Sequence, residues 1–534
     1  MDQNRKQAAG ARITFISLKG HVEYPPLSFL SLASYLNAKT AHRASILNLT
    51  SDGGGFERDV IGRLSDAPPD WAGFSCFTRN YPEVMKLAAA VKAATGCRVV
   101  VGNVHASLYP GDFIFKGSPV DAVVIGEGEL SLAELLDASA AGRSFCGVPG
   151  TGALGPDGGL VLGGKRDLIG DLSALPPADH SLIDMEPYVK LRPYFTKGAP
   201  LRSFPVHTAR GCAFSCEFCA ANSVWKCNSG RAVRFRPVEA VVREISALKE
   251  RYRLHGVSIG DDSLMTSKSH VLALCRELEK LDIIWSAQGR IDQLDEETLL
   301  AMKRAGCMML YFGVESGSDR ILRVINKRQT AAQVISTFDL CKKHGVLRAA
   351  NIMCNHPGET EEDITLTKKL LERIKPDELF TNVMTPYPGT AAFEKHFAGK
   401  IGPAQYGLYG ETPANIALHF KMAAHDLSVT KIIDEYWELV MRFRVPTSLT
   451  IALTNPRYIR NVLLTRHMFT ILGNILRDAL TYLRYFLIHL VPAGARQSLI
   501  RFRNGLYRLI AGTLSLKEGS LLKKILDRTL GTPW

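Results

Sequence analysis

The chemistry-bearing stretch of this chain is Arg210-Gly211-Cys212-Ala213-Phe214-Ser215-Cys216-Glu217-Phe218-Cys219. Cys212, Cys216 and Cys219 stand at a C-x3-C-x2-C spacing, with Phe218 directly before the third. So short a loop can turn three thiolates toward one metal centre, and thiolates select zinc, Cu(I) or iron–sulfur clusters. On a four-iron cube, three protein ligands leave one iron open to another molecule. A structural zinc site wants four closed ligands. Cys227 is a candidate for the fourth, and three ordinary core cysteines are the remaining alternative.

Apolar runs at 12–18, 43–49, 71–76, 98–102 and 121–126 alternate with amphipathic runs at 27–40, 56–65, 82–95 and 129–138. The alternation predicts an α/β domain with a doubly wound parallel sheet. Such sheets bind ligands beyond the carboxyl ends of their strands, at the switch point. Those ends carry Lys19-Gly20-His21, the segment 75–80, Gly102-Asn103-Val104-His105-Ala106-Ser107 and Gly126-Glu127-Gly128-Glu129. Glycine and small polar residues there let backbone approach a ligand closely. Glu127 and Glu129 are also placed to cap the helix that follows. No G-x-G-x-x-G follows the first strand, which argues against a dinucleotide site.

A second alternation runs from 201 to 395, with strands expected at 203–209, 256–260, 283–288, 308–313, 347–353 and 379–384. Six βα units predict an incomplete (β/α)6 barrel, whose active site lies at the carboxyl ends of the strands. After the cysteine loop those ends carry Gly260-Asp261-Asp262-Ser263, Ala287-Gln288-Gly289-Arg290 and Phe312-Gly313-Val314-Glu315-Ser316-Gly317-Ser318. Two more follow, Asn355-His356-Pro357-Gly358-Glu359-Thr360 and Pro386-Tyr387-Pro388-Gly389-Thr390. Asp261 and Asp262 can accept from an amino group, although Asp262 is equally suited to a cap. Arg290 offers a planar donor fork to a carboxylate.

The cysteine motif is the hallmark of the radical S-adenosylmethionine (SAM) superfamily, and G-x-E-S-G-S, P-G-E-T and P-Y-P-G-T extend the resemblance from Ser203 to Thr390. Upstream, Pro25–Leu30, Gly102–Ser107 and Gly126–Glu129 resemble, in this order, the cobalamin-binding domain of B12-dependent members. The chain is identified as a member of the cobalamin (B12)-binding radical SAM family, which includes B12-dependent methylases and an ester cyclase. The resemblance implies a flavodoxin-like B12-binding domain over 1–140, a connector over 141–200, a partial radical SAM barrel over 201–395 and a basic α-helical region over 396–534. It implies a 4Fe–4S cluster on Cys212, Cys216 and Cys219, and SAM contacts from Phe218, Asp261, Asp262, Arg290, Glu315 and Ser316. Cobalamin contacts are expected from Ser75, Gly102, Asn103, His105, Ser107, Gly126 and Glu127. The implied activity is methyl transfer: a 5′-deoxyadenosyl radical takes hydrogen from an unactivated carbon and methylcobalamin supplies the methyl. A cyclase or rearrangement enzyme of the same family is the alternative, and a non-catalytic metal- or B12-binding regulator is a third reading. Two departures stand out. The D-x-H-x-x-G motif that gives cobalamin mutases their cobalt ligand is absent, and Asn355 occupies a position where the family usually has glycine.

At 534 residues the chain is long enough for two or three domains. Eleven cysteines are too sparse for a disulfide scaffold and suit a reducing compartment. The polar segment 1–10 has no apolar signal core, and no uncharged apolar run is long enough to span a membrane, so a cytoplasmic protein is expected. Of the net charge of +13, residues 442–534 carry 15 Lys+Arg against 3 Asp+Glu. The main body is therefore near neutral, which argues against a nucleic-acid partner. Within 461–490, apolar residues at helical spacing are punctuated by Arg466, Arg477 and Arg484, followed by Arg496, Arg501, Arg503 and Arg508. Such a stretch suggests peripheral contact with the inner, anionic face of a membrane, and with it a lipophilic small-molecule substrate. A basic helical cap packed on the barrel is the alternative. The Gly-rich segment 399–412 is expected to form a lid over the barrel mouth. A flavodoxin- or ferredoxin-type electron donor completes the expected partners.

Overall fold

Two parallel sheets organise the chain. The computed structural model describes residues 10–18, 24–49, 55–191, 200–441, 447–465 and 468–489. The expected strand end at Lys19-Gly20-His21, and the arginines at 466, 496, 501, 503 and 508, lie outside these residues.

The first sheet contains β1 (Arg12–Ser17), β2 (Arg43–Asn48), β3 (Trp71–Ser75), β4 (Arg98–Gly102) and β5 (Ala122–Val124), all parallel. Their spatial order is 2-1-3-4-5, so the winding reverses between β1 and β3. Residues 71–74 and 99–101 are buried without interruption, as both faces of a parallel sheet are covered. The helices Leu27–Lys39 and Glu129–Ala140 cover one face through Phe29, Ala33, Leu36, Leu132 and Leu136. The helices Phe56–Asp66 and Tyr81–Thr95 cover the other through Val60, Leu64, Val84 and Val91. This sheet continues past residue 140: the hairpin of β6 (Thr151–Leu154) and β7 (Leu160–Leu162) adds two antiparallel strands beside β5.

In the second sheet, β8 (Ser203–Val206), β11 (Gly256–Ile259), β12 (Ile284–Gly289), β13 (Cys307–Glu315), β14 (Leu347–Cys354) and β15 (Glu378–Val383) pair in sequence order. All neighbours are parallel and β8 does not close onto β15, giving the partial barrel. A short antiparallel ribbon, β9 (Ala209–Arg210) and β10 (Arg234–Phe235), stands at the carboxyl end of β8. Ser267, Asp295, Ser318, Thr330, Thr360 and Thr390 each accept a backbone N–H at a helix start. Such caps are worth about 1 kcal/mol each. The final residues of G-x-E-S-G-S, P-G-E-T and P-Y-P-G-T are therefore helix caps.

The segment expected as a lid does something else. Its 3-10 turn Pro403–Gly410 packs Tyr406 and Tyr409, together with Phe420, into the core of the first domain beside Tyr81 and Phe113. The Tyr406 hydroxyl donates to Asp112 at 2.7 Å. Large aromatic surface, not glycine content, decides where this strap lies. Further on, Ile451, Tyr458, Val462, Ile471 and Ile475 pack on Leu201, Ile284 and Met308, at the amino ends of the barrel strands. Arg460 pairs with Asp282 at 2.6 Å and Arg457 donates to the Arg304 carbonyl at 2.7 Å. The C-terminal helices thus close the bottom of the barrel, opposite the mouth. Among the described residues no helix is long and apolar enough to cross a membrane.

Asn355, at the expected glycine position, adopts φ +67°. Its amide donates to the Phe420 carbonyl at 2.9 Å and its oxygen accepts from the Met422 and Ala423 N–H groups at 3.4 Å. The asparagine serves both the left-handed turn and the attachment of the following strap. Asn355→Ala should destabilise the protein by roughly 2–5 kcal/mol, combining a left-handed alanine with buried backbone groups left unpaired. Asn355→Gly keeps the turn and should cost less. Denaturant unfolding of the two variants measures the order, and an unchanged midpoint for Asn355→Ala would refute it.

Candidate functional site

The cysteine loop runs from β9 to the helix Ala221–Trp225. Gly211 starts it at φ +93°, where a Cβ would sit 2.2 Å from the Ala232 carbonyl oxygen. Cys212, Cys216 and Cys219 are all partly exposed. Burial pushes the Cys212 and Cys219 thiols up from their ordinary range, and repulsion from Cys216 and Asp262 adds to it. Among the described residues no three His, Cys, Asp or Glu side chains converge to hold a single ion. Cys227 is turned elsewhere: its thiol faces the Ser223 and Ser107 carbonyls at 3.4 and 3.5 Å. With Cys227 turned away, the loop offers three soft donors and no fourth cysteine, which fits a multi-iron cluster with an open corner better than closed four-ligand zinc.

Both aromatic residues of the loop are braced from the barrel. The Arg290 guanidinium lies over the Phe214 ring, 3.6 Å from its centroid, a cation–π contact. Its nitrogens donate to Asp292 and to the Lys327 carbonyl, each at 2.8 Å. Lys327 pairs with Glu315 at 2.7 Å and stands 5.8 Å above the Phe218 ring. Asn326 donates to the Ser215 carbonyl at 2.8 Å. Arg290 and Glu315, expected to hold SAM directly, are engaged in shaping the loop that would present it.

Two other residues expected to contact SAM are engaged within the protein. Asp261 is 1% exposed and accepts from the Thr208 N–H at 2.6 Å, the Thr208 hydroxyl at 2.5 Å and the Ala209 N–H at 3.1 Å. Its carboxylate fixes the turn between β8 and β9 through these three bonds. Ser316 is fully buried against Thr367 at 3.3 Å. Asp262, one residue on, is exposed and accepts from the Trp225 indole at 3.1 Å.

A cavity of about 1170 Å³ runs between the two sheets. Phe15, Gly73, Val100, Val124 and Leu132 form an apolar slot at the switch point of the first sheet, and Ser75, Gly102, Asn103, Ser107 and Gly126 form a polar rim. Pro176 and Pro177 of the connector, with Arg210, Trp225 and Asp262, make the opposite wall. The rim is preorganised: Asn103 (φ +82°) donates to the Ser75 hydroxyl at 2.7 Å, and Ser107 accepts from the Gly126 N–H at 2.9 Å. At Gly102 the nearest atoms to an added Cβ, on Val124, are 3.9 Å away, an ordinary contact distance, so the backbone there is uncrowded. An apolar slot beneath a rim of amides and hydroxyls fits a large ring system bearing polar edges, as cobalamin is.

His105 does not belong to that rim. It is 1% exposed and lies within van der Waals reach of Tyr81, Tyr109, Phe113 and Tyr406. Nδ1 meets the Thr78 hydroxyl at 3.1 Å and Nε2 faces Asp112 at 3.2 Å. It packs behind the cavity and is not among the residues that line it. Glu127 touches the cavity, yet its carboxylate is occupied by Arg234, Arg210 and the Ile169 N–H. Sequence reasoning missed Arg210, His207 and Trp225, all of which line the cavity. Arg210 carried a readable signal, being a charge at the end of an apolar strand run. His207 and Trp225 carried none until the chain is folded.

The profile of the B12 binding domain matches residues 13–136, and that of the Radical SAM superfamily matches residues 206–371. An uncharacterized methyltransferase of Pyrococcus horikoshii is 30% identical over 380 residues, which cover 71% of this chain and 79% of that protein. The anaerobic magnesium-protoporphyrin IX monomethyl ester cyclase of Rubrivivax gelatinosus is 27% identical over 383 residues, 70% of this chain and 66% of its own length. Among solved structures, the radical SAM methyltransferase TsrM of Kitasatospora setae, with cobalamin and a 4Fe–4S cluster bound, has the same fold at a TM-score of 0.59 and 18% identity, covering 72% of this chain and 74% of that one. The chain belongs to the cobalamin-binding radical SAM family. It is a radical SAM enzyme whose cofactors are S-adenosylmethionine, a 4Fe–4S cluster and cobalamin, and it takes a small-molecule substrate and a reductant.

The loop geometry separates its cysteines. After anaerobic reconstitution, Cys216→Ala should lose most of its iron and the characteristic cluster absorbance, whereas Cys227→Ala should retain both. Iron loss on removing Cys227 would return it to the ligand set.

Proposed function

We propose that this protein is a cobalamin-dependent radical SAM methyltransferase acting on an unactivated carbon of a small molecule. The observation that carries the reading is one continuous cavity, walled on one side by the switch point of the first sheet and on the other by Arg210, Trp225 and Asp262 beside the cysteine loop. Cys212, Cys216 and Cys219 would hold the cluster, and the slot from Phe15 to Leu132 would hold cobalamin. Bound there, SAM with the cluster supplies hydrogen abstraction and cobalamin supplies the methyl group. The chain's own residues orient and enclose. Arg290, Lys327 and Glu315 fix the aromatic flanks of the cysteine loop. Asp261 fixes the turn that enters it. Asp262, held by Trp225, presents the acceptor to an amino group. The apolar walls keep water from the reacting centre.

The C-terminal helix Met468–His489 adds an attachment surface. Ile471 and Ile475 face the barrel bottom, while Phe469, Leu472, Leu476, Leu480 and Leu483 are exposed at helical spacing, Phe469 to 81% and Leu476 to 60%. With the basic excess of residues 442–534, this stripe suits an anionic lipid surface. It lies at the end of the barrel opposite the mouth, so it would anchor the enzyme without delivering substrate. A lipophilic substrate is therefore a separate expectation from membrane attachment.

Anaerobic incubation of a cell extract with methyl-labelled SAM should give a product heavier by one methylene unit and carrying the label. A product of altered hydrogen or oxygen content without label would favour the cyclase reading. The full chain should sediment with phosphatidylglycerol vesicles and not with phosphatidylcholine vesicles, and Leu476→Gln with Leu480→Gln should weaken that binding severalfold. Sedimentation of the wild type with neither vesicle, or equally with both, would remove attachment to an anionic surface.

A further inference from the structure

Arg210 and Arg234 are direct cross-strand partners in the β9–β10 ribbon. Like charges placed opposite one another oppose pairing, and a buried guanidinium needs a counter-ion. Both find one in the Gly126-Glu127-Gly128-Glu129 loop of the other domain. Glu127 bridges the two cations, at 2.5 Å to Arg210 and 2.9 Å to Arg234. Glu129, itself 3% exposed, takes the second arm of Arg210 at 2.7 Å and the Ser31 hydroxyl at 2.8 Å. Two cations meet two anions, so the group is neutral as a whole. Burial alone would raise the Glu129 carboxyl, yet Arg210 and Ser31 hold it below its ordinary range.

The place of this group in the chain gives it consequence. The glutamates sit directly after Gly126, whose N–H is fixed by Ser107 on the cavity rim. Arg210 sits directly before Gly211 and Cys212. The Glu127 N–H also donates to the Asn228 side chain at 3.0 Å, and a Cβ on Gly126 would fall 1.8 Å from that same oxygen. The cavity rim and the root of the cysteine loop are thus joined through one largely buried cluster.

We infer that Arg210 is a positioning residue: through Glu127 and Glu129 it sets the spacing and orientation of the cobalamin cavity relative to the cysteine loop. The inference rests on the cofactor placement proposed above. In this role Arg210, whose side chain also borders the cavity, acts through the two glutamates. Arg210→Met would leave two buried carboxylates with one cation between them and would release the rim from the loop. Each cofactor could still bind its own half, while hydrogen abstraction and methyl delivery would lose their register.

The test compares wild type, Arg210→Met and Glu129→Gln. In the loaded protein, pulsed EPR between cob(II)alamin and the reduced cluster should give a narrow distance distribution in wild type. That narrow distribution should be lost in Arg210→Met although cobalamin absorbance and iron content stay near wild type. The ratio of deoxyadenosine formed to methylated product should rise in parallel. Glu129→Gln keeps Arg210 paired with Glu127 and should show the same shift to a smaller degree, which carries the test if Arg210→Met does not fold. In the cofactor-free protein, hydrogen exchange at 126–129 and at 209–212 should accelerate together in the variants. Wild-type distances and exchange in both variants, or loss of protection at one segment only, would overturn the inference. Failure of wild type to take up cobalamin or iron would instead defeat the cofactor placement, while the exchange measurement would still judge the clasp.

Discussion

Buried charge governs how the two halves of this molecule meet. A carboxylate or guanidinium shut away from water and robbed of its partner costs about 3–5 kcal/mol, so Glu127, Glu129, Arg210 and Arg234 permit only arrangements in which all are matched. Apolar contacts at the same junction, such as Leu108 against Gly389, tolerate small slips. The Tyr109 hydroxyl on Glu394 at 2.7 Å adds another directional contact, but it is exposed and correspondingly weak. The ionic cluster therefore contributes specificity more than stability. Everything on either side, the cavity rim above and the cysteine loop below, takes its relative position from it.

Several family motifs prove to be devices for holding loops. Gly317 allows a close crossing by the backbone of Thr367, 2.5 Å from an added Cβ. Glu359 accepts from the Asn355 N–H at 2.8 Å and closes the turn before the capping Thr360. Gly389 lets the first domain approach the barrel. The recurring types at these positions answer backbone geometry, and only a few of them, Asp262 foremost, face the space where chemistry would occur.

The fold was readable because its causes are periodic. Continuous apolar runs mark strands buried on both faces, amphipathic runs mark the covering helices, and serine, threonine or aspartate marks the helix starts. The cysteine loop was readable because its spacing is local. What stayed hidden depends on direction. Asp261 and Asp262 are adjacent and chemically identical, yet the strand places one in the turn and the other at the cavity. Glu127 looked like a ligand contact because its loop lies at a strand end, and nothing local shows two arginines arriving from beyond residue 200. His105 likewise follows a glycine-rich strand end but turns into a nest of aromatic rings. Glycine content suggested a lid at 399–412, whereas Tyr406 and Tyr409 commit that segment to a surface some 300 residues earlier.

That last contact bears on how the chain comes into being. Tyr406, Tyr409 and Phe420 fill the core of a domain whose own strands are complete by Leu162. During synthesis the first domain leaves the ribosome with Tyr81, Phe113 and His105 lacking their cover, and that gap is closed only when the chain has been made as far as Phe420. A fragment ending at the connector would expose the same aromatic patch permanently. The N-terminal domain is thus first to be made, yet it is finished only after the last barrel strand.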